Sequence, residues 1–179
     1  MSLRAVLLIT LKDEPATGYD VLKRFQKGLA HVWNASHQQI YRELERMYQL
    51  GLVERETVPQ DGRPNRKVYR ITSEGETELQ QWLETPLDPP VVRLPLYAKF
   101  FAWESWPAEA RTRELSGLRQ QLEERLTTYR AIEQYWFSDP WSMPAEKRAP
   151  WHTLRLGQRL TETWIEWIDE ITEQEGSTP

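Results

Sequence analysis

The sequence predicts a mainly α protein with one small β-hairpin, built from two consecutive parts. Three observations carry this prediction. Apolar residues recur at three- and four-residue spacing along most of the chain. That spacing gives way only once, to two short strand-like runs at 52–57 and 66–72, separated by the turn-rich Val58-Pro59-Gln60-Asp61-Gly62-Arg63-Pro64-Asn65. The stiff stretch Pro86-Leu87-Asp88-Pro89-Pro90 then marks a boundary.

The elements follow in order. Residues 3–11 are apolar almost all round, as in a short helix buried on every side. Asp13-Glu14-Pro15-Ala16 breaks that helix. Thr17 can cap a second helix from Gly18 to about Trp33, along which Tyr19, Val21, Leu22, Phe25, Leu29 and Val32 keep helical spacing. Ser36-His37-Gln38-Gln39 reads as a capping box, in which the serine oxygen accepts from the backbone of Gln39 and the glutamine side chain reaches back. The third helix it opens ends at Gly51, a good residue just past a helix end. In the hairpin, Val53, Tyr69 and Ile71 are expected to face the core. Ser73-Glu74-Gly75-Glu76 reads as a second capping box, opening a helix to about Glu84. Three helices, a two-stranded wing and a further helix form the order of a winged helix-turn-helix over residues 1–85.

After the 86–90 linker, residues 91–179 are expected to form a helical domain. Leu94 to Trp103 is apolar and helical in pattern. Pro107 suits the first turn of a long helix to about Phe137. Its apolar stripe is Leu115, Leu118, Leu122, Leu126, Tyr129, Ile132 and Trp136. Asp139-Pro140 and Met143-Pro144 mark a loop, and a last helix is expected over about 151–174.

Charge is unevenly divided. The net charge is −4, but residues 1–72 carry 12 basic and 8 acidic side chains and residues 73–179 carry 11 and 19. A front half at +4 and a back half at −8 suggest that only the front meets a polyanion. Ordinary scatter over a solvated surface gives the same numbers. The 179 residues contain no cysteine, which excludes disulfides, thiolate metal sites and cysteine nucleophiles. The apolar N-terminus lacks a basic leader and a small-residue cleavage site, and no stretch has the length of a membrane span, so a cytoplasmic protein without membrane attachment is expected.

On a helical wheel the third helix turns Ile40, Leu44 and Met47 inward and Gln38, Arg42, Glu45 and Gln49 outward, with Tyr41 and Tyr48 on one flank. Near its start Ser36, His37, Gln38, Tyr41 and Arg42 are exposed. Glutamine pairs bidentately with adenine, arginine with guanine or phosphate, and a tyrosine hydroxyl with phosphate. The helix N-terminus adds free N–H groups that suit anions. A solvated helix face would also carry such residues. The wing sharpens the choice: Arg63, Arg66, Lys67 and Arg70 lie within eight residues free of acid. Such a tip can follow a phosphate backbone or enter the minor groove, although charge on a hairpin edge also blocks aggregation.

The stretches Gly18-Tyr19-Asp20-Val21-Leu22-Lys23-Arg24-Phe25, His37 to Met47, Gly51-Leu52-Val53-Glu54 and Arg66 to Gly75 resemble the PadR family of bacterial repressors. That family carries a tyrosine in its recognition helix, matched by Tyr41, and its second wing strand is similar to Lys67-Val68-Tyr69-Arg70-Ile71-Thr72. Leu94 to Phe101 is similar to the start of the longer subclass's helical C-terminal domain. The resemblance implies a homodimer held by C-terminal helices, binding palindromic double-stranded operator DNA and often released by a small, frequently aromatic, effector placed between the two parts.

Eight of the nine tryptophans lie after residue 73. Trp103, Trp106, Tyr135 and Trp136 are candidates to line a pocket for a ring-shaped effector, because aromatic faces stack on aromatic acids. Core or dimer interface is the competing use of such residues. Leu160, Trp164, Ile168 and Ile171 form a stripe suited to a dimer interface. Catalysis finds no support. His31, His37 and His152 are scattered, with no His-x-x-x-His or His-Glu-x-x-His pair, and neither Gly-x-Ser-x-Gly nor a phosphate or dinucleotide loop occurs. No metal or cofactor is expected. The rival to DNA binding is a winged helix that serves protein–protein interaction, for which an uncharged wing would be the mark.

Overall fold

The computed structural model describes residues 3–28, 35–59, 65–91 and 93–176, the side chains of 26–28 and 175–176 excepted. The chain divides into two compact units, Met1–Pro89 and Pro90–Pro179.

The first unit is a winged helix-turn-helix: α1 (Leu3–Leu11), β1 (Ala16–Thr17), α2 (Gly18–Gly28), α3 (His37–Gln49), β2 (Val53–Val58), β3 (Arg66–Ile71) and α4 (Ser73–Glu84). Its core joins Leu7, Leu8 and Leu11 of α1, Val21 and Phe25 of α2, Ile40, Leu44 and Met47 of α3, Val53 and Tyr69 of the wing, and Leu79 of α4. The inward stripe expected of α3 is fully buried. α1 is not buried on every side, since Ile9 is exposed. Leu29, His31, Val32 and Trp33 lie outside the described residues.

The hairpin expectation is extended by one strand. The antiparallel sheet has the order β1-β3-β2, with Ala16 opposite Tyr69 and Val53 opposite Ile71. A two-residue strand shows no alternation along the chain, so β1 carries no periodic signal of its own. Its formation makes β3 the central strand, with β1 and β2 as the two edges.

Two helix ends show how local chemistry sets the boundaries. At the end of α3 the N–H of Leu52 donates to the Met47 carbonyl at 3.0 Å and that of Gly51 to the Tyr48 carbonyl at 3.1 Å. Gly51 has φ +73°, the left-handed turn that this Schellman ending needs. At α4 the cap is Thr72 and not Ser73. The Thr72 hydroxyl accepts from the Gly75 N–H at 3.1 Å and donates to the Gly51 carbonyl at 2.7 Å. With glycine three residues after the cap, no reciprocal side chain exists and the expected second capping box does not form.

The second unit contains α5 (Pro95–Phe101), α6 (Ala108–Trp136) and α7 (Ala145–Gly176), with short 3-10 turns at Trp103–Ser105 and Pro140–Ser142. α6 and α7 pack on Leu115, Leu122 and Ile168, flanked by Leu118, Trp164, Ile165, Trp167 and Ile171. The Arg119 guanidinium grips the Asp169 carboxylate with two bonds, 2.6 and 3.1 Å, tying one helix to the other. α7 starts six residues before the expected position and runs through Pro150. In the second turn that proline forfeits one backbone bond, while the Pro144 carbonyl accepts from Lys147 and Arg148, both at 3.0 Å.

Candidate nucleic-acid interface

α3 is held firmly behind and presents polar groups in front. Its start is fixed by the expected capping box: the Gln39 N–H donates to Ser36 Oγ at 3.3 Å and the Ser36 N–H to Gln39 Oε1 at 2.8 Å. Three side chains with zero exposure, Ile40, Leu44 and Met47, fix its rotation. Two charged groups hold its flanks. Arg4 of α1 donates to Glu43 at 3.0 Å and to Glu78 of α4 at 2.8 Å. Arg55 of β2 pairs with Glu45 and lies 4.1 Å from the ring centre of Tyr48. Burial pushes the phenol of Tyr69, beside Arg55, above its ordinary value, and the guanidinium pulls against that rise.

The outward face matches the wheel. Ser36, His37, Gln38, Tyr41 and Arg42 are all exposed. Ser36 also serves the helix, since its oxygen accepts the cap bond. Glu45, expected to point outward, is half-buried because it turns to Arg55.

The wing supplies cations at its base. Arg66 and Lys67 begin β3, exposed, opposite Val58 and Thr57. Arg70 is less available, being paired across the strands with Glu54 at 3.2 Å. Arg63 lies outside the described residues. A cleft of about 590 Å³ lies between α3 and the wing, with Tyr41 on one wall, Arg66 and Lys67 on another, and Thr17 of β1 with Gly18 and Tyr19 of α2 closing it. Tyr41, Arg66 and Lys67 thus share one concavity.

Periodicity alone misses the start of α2 as part of this site. It groups Tyr19 with the inward residues, yet Tyr19 is 57% exposed. The ring sits under the Lys23 ammonium, 4.7 Å from the ring centre. The i,i+4 pairing of an aromatic with a lysine is the signal that could find it.

In the second unit the four aromatics expected to hold an effector do not converge. Trp103 and Trp106 pack edge-on near Phe100 before α6 begins, and Trp106 is buried, with Lys99 over its ring at 5.0 Å. Arg111 covers Trp103 at 3.7 Å. Tyr135 and Trp136 touch each other at the far end of α6, 77% and 64% exposed. At 1.5 Å per residue, roughly 40 Å of helix separates the pairs. A single pocket lined by all four is therefore corrected to two separate aromatic groups. The expected interface stripe also splits. Ile168 is 1% exposed and fills the core between α6 and α7, so it is corrected from interface to interior. Trp164 and Ile171 are half-buried beside it, and Leu160 is 55% exposed.

A buried polar group anchors the far end of this unit. Trp151 Nε1 donates to Glu133 Oε1 at 2.7 Å, and the buried Gln158 donates to Oε2 at 2.8 Å. Burial pushes the Glu133 carboxyl up, but these two bonds and the charge of Arg155 outweigh it and hold it below the ordinary glutamate value. The described residues include no cluster of metal-ligating side chains and no helix long and apolar enough to cross a membrane.

The profile of the transcriptional regulator PadR-like family matches residues 7–81, and that of the virulence activator alpha C-terminal family matches residues 92–174. A protein of Mycobacterium tuberculosis, named a probable transcriptional regulator, is 32% identical over 97% of this chain and 97% of its own length. The structure of the Vibrio cholerae virulence activator AphA is similar, with TM-score 0.84 and 32% identity over 98% of this chain and 99% of that one. Bacillus subtilis PadR in complex with operator DNA has TM-score 0.83 at 21% identity, covering 96% and 98%, and the same protein has been solved with p-coumaric acid.

Proposed function

This chain belongs to the transcriptional regulator PadR-like family and is a transcriptional regulator, not an enzyme; from that premise we propose that it is a cytoplasmic repressor that binds a palindromic operator as a homodimer. The observation that carries this reading is the outer face of α3, locked by its capping box and three buried side chains, beside a cleft shared with Arg66 and Lys67. In the proposed complex Gln38 and Arg42 read base edges in the major groove, and the Tyr41 hydroxyl and the positive end of the α3 dipole meet phosphate. His37 and Ser36 lie at the same end. Arg63, Arg66 and Lys67 add affinity that does not depend on sequence. The rival protein-interaction module would be marked by an uncharged wing, and Arg66 and Lys67 charge this one.

The homodimer is supported by α7. Leu156 and Leu160 are 58% and 55% exposed and continue to Trp164 at four-residue spacing, a stripe that a second copy would cover. Two recognition helices about 34 Å apart then enter successive major grooves on one face of the duplex. In the same reading a small aromatic acid releases the dimer from DNA by binding one spacing of the two recognition helices better than another. The p-coumaric acid complex of Bacillus subtilis PadR supports the ligand class.

A second reading concerns the sign of regulation. The whole-length 32% identity with a virulence activator, and the C-terminal family match, favour activation at some promoters.

Selection of duplexes from a random-sequence library by the full-length protein tests the proposal. Enrichment of one palindrome with half-sites about one helical turn apart is expected. A library that stays random after repeated rounds would contradict sequence-specific binding.

A further inference from the structure

Gly18 is the first residue of α2, and its backbone is of a kind that any residue adopts, because Gly51 is the glycine found at positive φ. Glycine is also a poor helix former, so conformation does not explain it. Space does. A Cβ built on Gly18 would lie 2.5 Å from Cε1 of Tyr41, 3.2 Å from Cδ1 and 3.5 Å from Cζ, and these nearest atoms all belong to one ring. The Tyr41 ring therefore lies across the start of α2, in the place where any other residue keeps its side chain. Gly75 shows a different situation, since a Cβ there would meet the Leu52 carbonyl oxygen at 2.1 Å, which is backbone and cannot give way.

We propose that Gly18 is a positioning residue for DNA recognition, whose missing side chain sets where the Tyr41 ring and hydroxyl lie relative to Arg66 and Lys67. The inference rests on the reading of the outer face of α3 as the DNA-contacting surface. The ring is half-exposed and forms a wall of the cleft that Arg66 and Lys67 also line. A methyl group on Gly18 pushes the ring outward and carries its hydroxyl away from the place fixed by α2. The fold does not suffer, because alanine is the better residue in a helix and the neighbour that must shift is one movable ring. Binding suffers, because a hydrogen bond to a charged phosphate weakens steeply once its geometry is spoiled.

The test uses the full-length protein and the duplex that wild type enriches from a random-sequence library, with affinities from fluorescence anisotropy and thermal midpoints for the same samples. Wild type, Gly18→Ala, Tyr41→Ala and the double variant are compared. Gly18→Ala is expected to weaken binding about tenfold, the value of roughly one charged hydrogen bond, with an unchanged or raised midpoint. In the Tyr41→Ala background the same change is expected to have no further effect. If Tyr41→Ala weakens binding and Gly18→Ala does not, the positioning role of Gly18 is wrong and the α3 reading stands. If Tyr41→Ala binds as wild type, the underlying reading of Tyr41 fails, and the inference with it. A loss in Gly18→Ala that tracks a fallen midpoint, or persists without Tyr41, assigns glycine to structure alone and overturns the proposal.

Discussion

The two units spend their apolar residues differently. In the first, fifteen buried apolar residues from three helices, the sheet and α4 form one cluster, and several reach zero exposure. In the second, the corresponding cluster has three, while Phe101, Tyr135, Trp136, Trp141, Leu156 and Leu160 stand between 55% and 96% exposed. The first unit closes its own core and can hold α3 still with a polar face outward. The second leaves an apolar surface that its own helices do not cover, as the proposed homodimer requires. In the proposed function the closed core serves reading and the uncovered surface serves pairing.

The comparison can be broken at several points. Phe25→Ala in the first unit is expected to cost about 3–5 kcal/mol in urea unfolding, because a fully packed ring leaves a cavity. The same truncation at Phe101, 96% exposed, is expected to stay within about 0.5 kcal/mol at monomeric concentrations. Equal losses would remove the distinction between the units. Leu160→Glu places a charge in the exposed stripe of α7 and is expected to shift sedimentation toward monomer, with little change in the first unit's unfolding. A variant that sediments as wild type would move the proposed interface off this stripe.

Acid should loosen the second unit before α1 to α3, because two carboxyls are held down there, while the one in the first unit, Glu74, lies in α4. Glu133 and Asp169 both sit below their ordinary values when folded, Asp169 through its bonds from Arg119. A depressed carboxyl contributes stability above its unfolded value and loses it as pH falls through the folded one, so the loss begins below about pH 4. Amide exchange in α6 and α7 should rise there before exchange in α1 to α3. Glu133→Gln should remove part of that dependence and cost about 1 kcal/mol at neutral pH. At the α3 cap, Ser36→Ala should cost about 1 kcal/mol by loss of the hydroxyl bond.

Much of the first unit is legible in the sequence because each signal is local. Ser36 with Gln39, Gly51 after the helix, and the spacing of Ile40, Leu44 and Met47 determine α3 without help from distant residues. Features that depend on a neighbour are not legible in this way. Ala16 and Thr17 become a strand only because Tyr69 and Val68 of β3 lie beside them. Thr72 takes the cap of α4 because the Gly51 carbonyl accepts its hydroxyl hydrogen. In the second unit periodicity finds the stripes but not what they face: Ile168 and Leu160 share a pattern, and only the packing of α7 on α6 puts one inside and leaves the other exposed. Aromatic content likewise does not tell the buried Trp106 from the exposed Trp136.

The proposed role of the outer face of α3 is to read DNA. It is tested most directly by an electrophoretic mobility shift on DNA from upstream of the protein's own gene, with wild type and Arg42→Ala at several salt concentrations. Tight wild-type binding over competitor DNA is expected, with a loss of about 1–3 kcal/mol in Arg42→Ala and the remaining binding falling steeply with salt. Binding no better than to competitor, equally salt-sensitive and indifferent to Arg42, would contradict it.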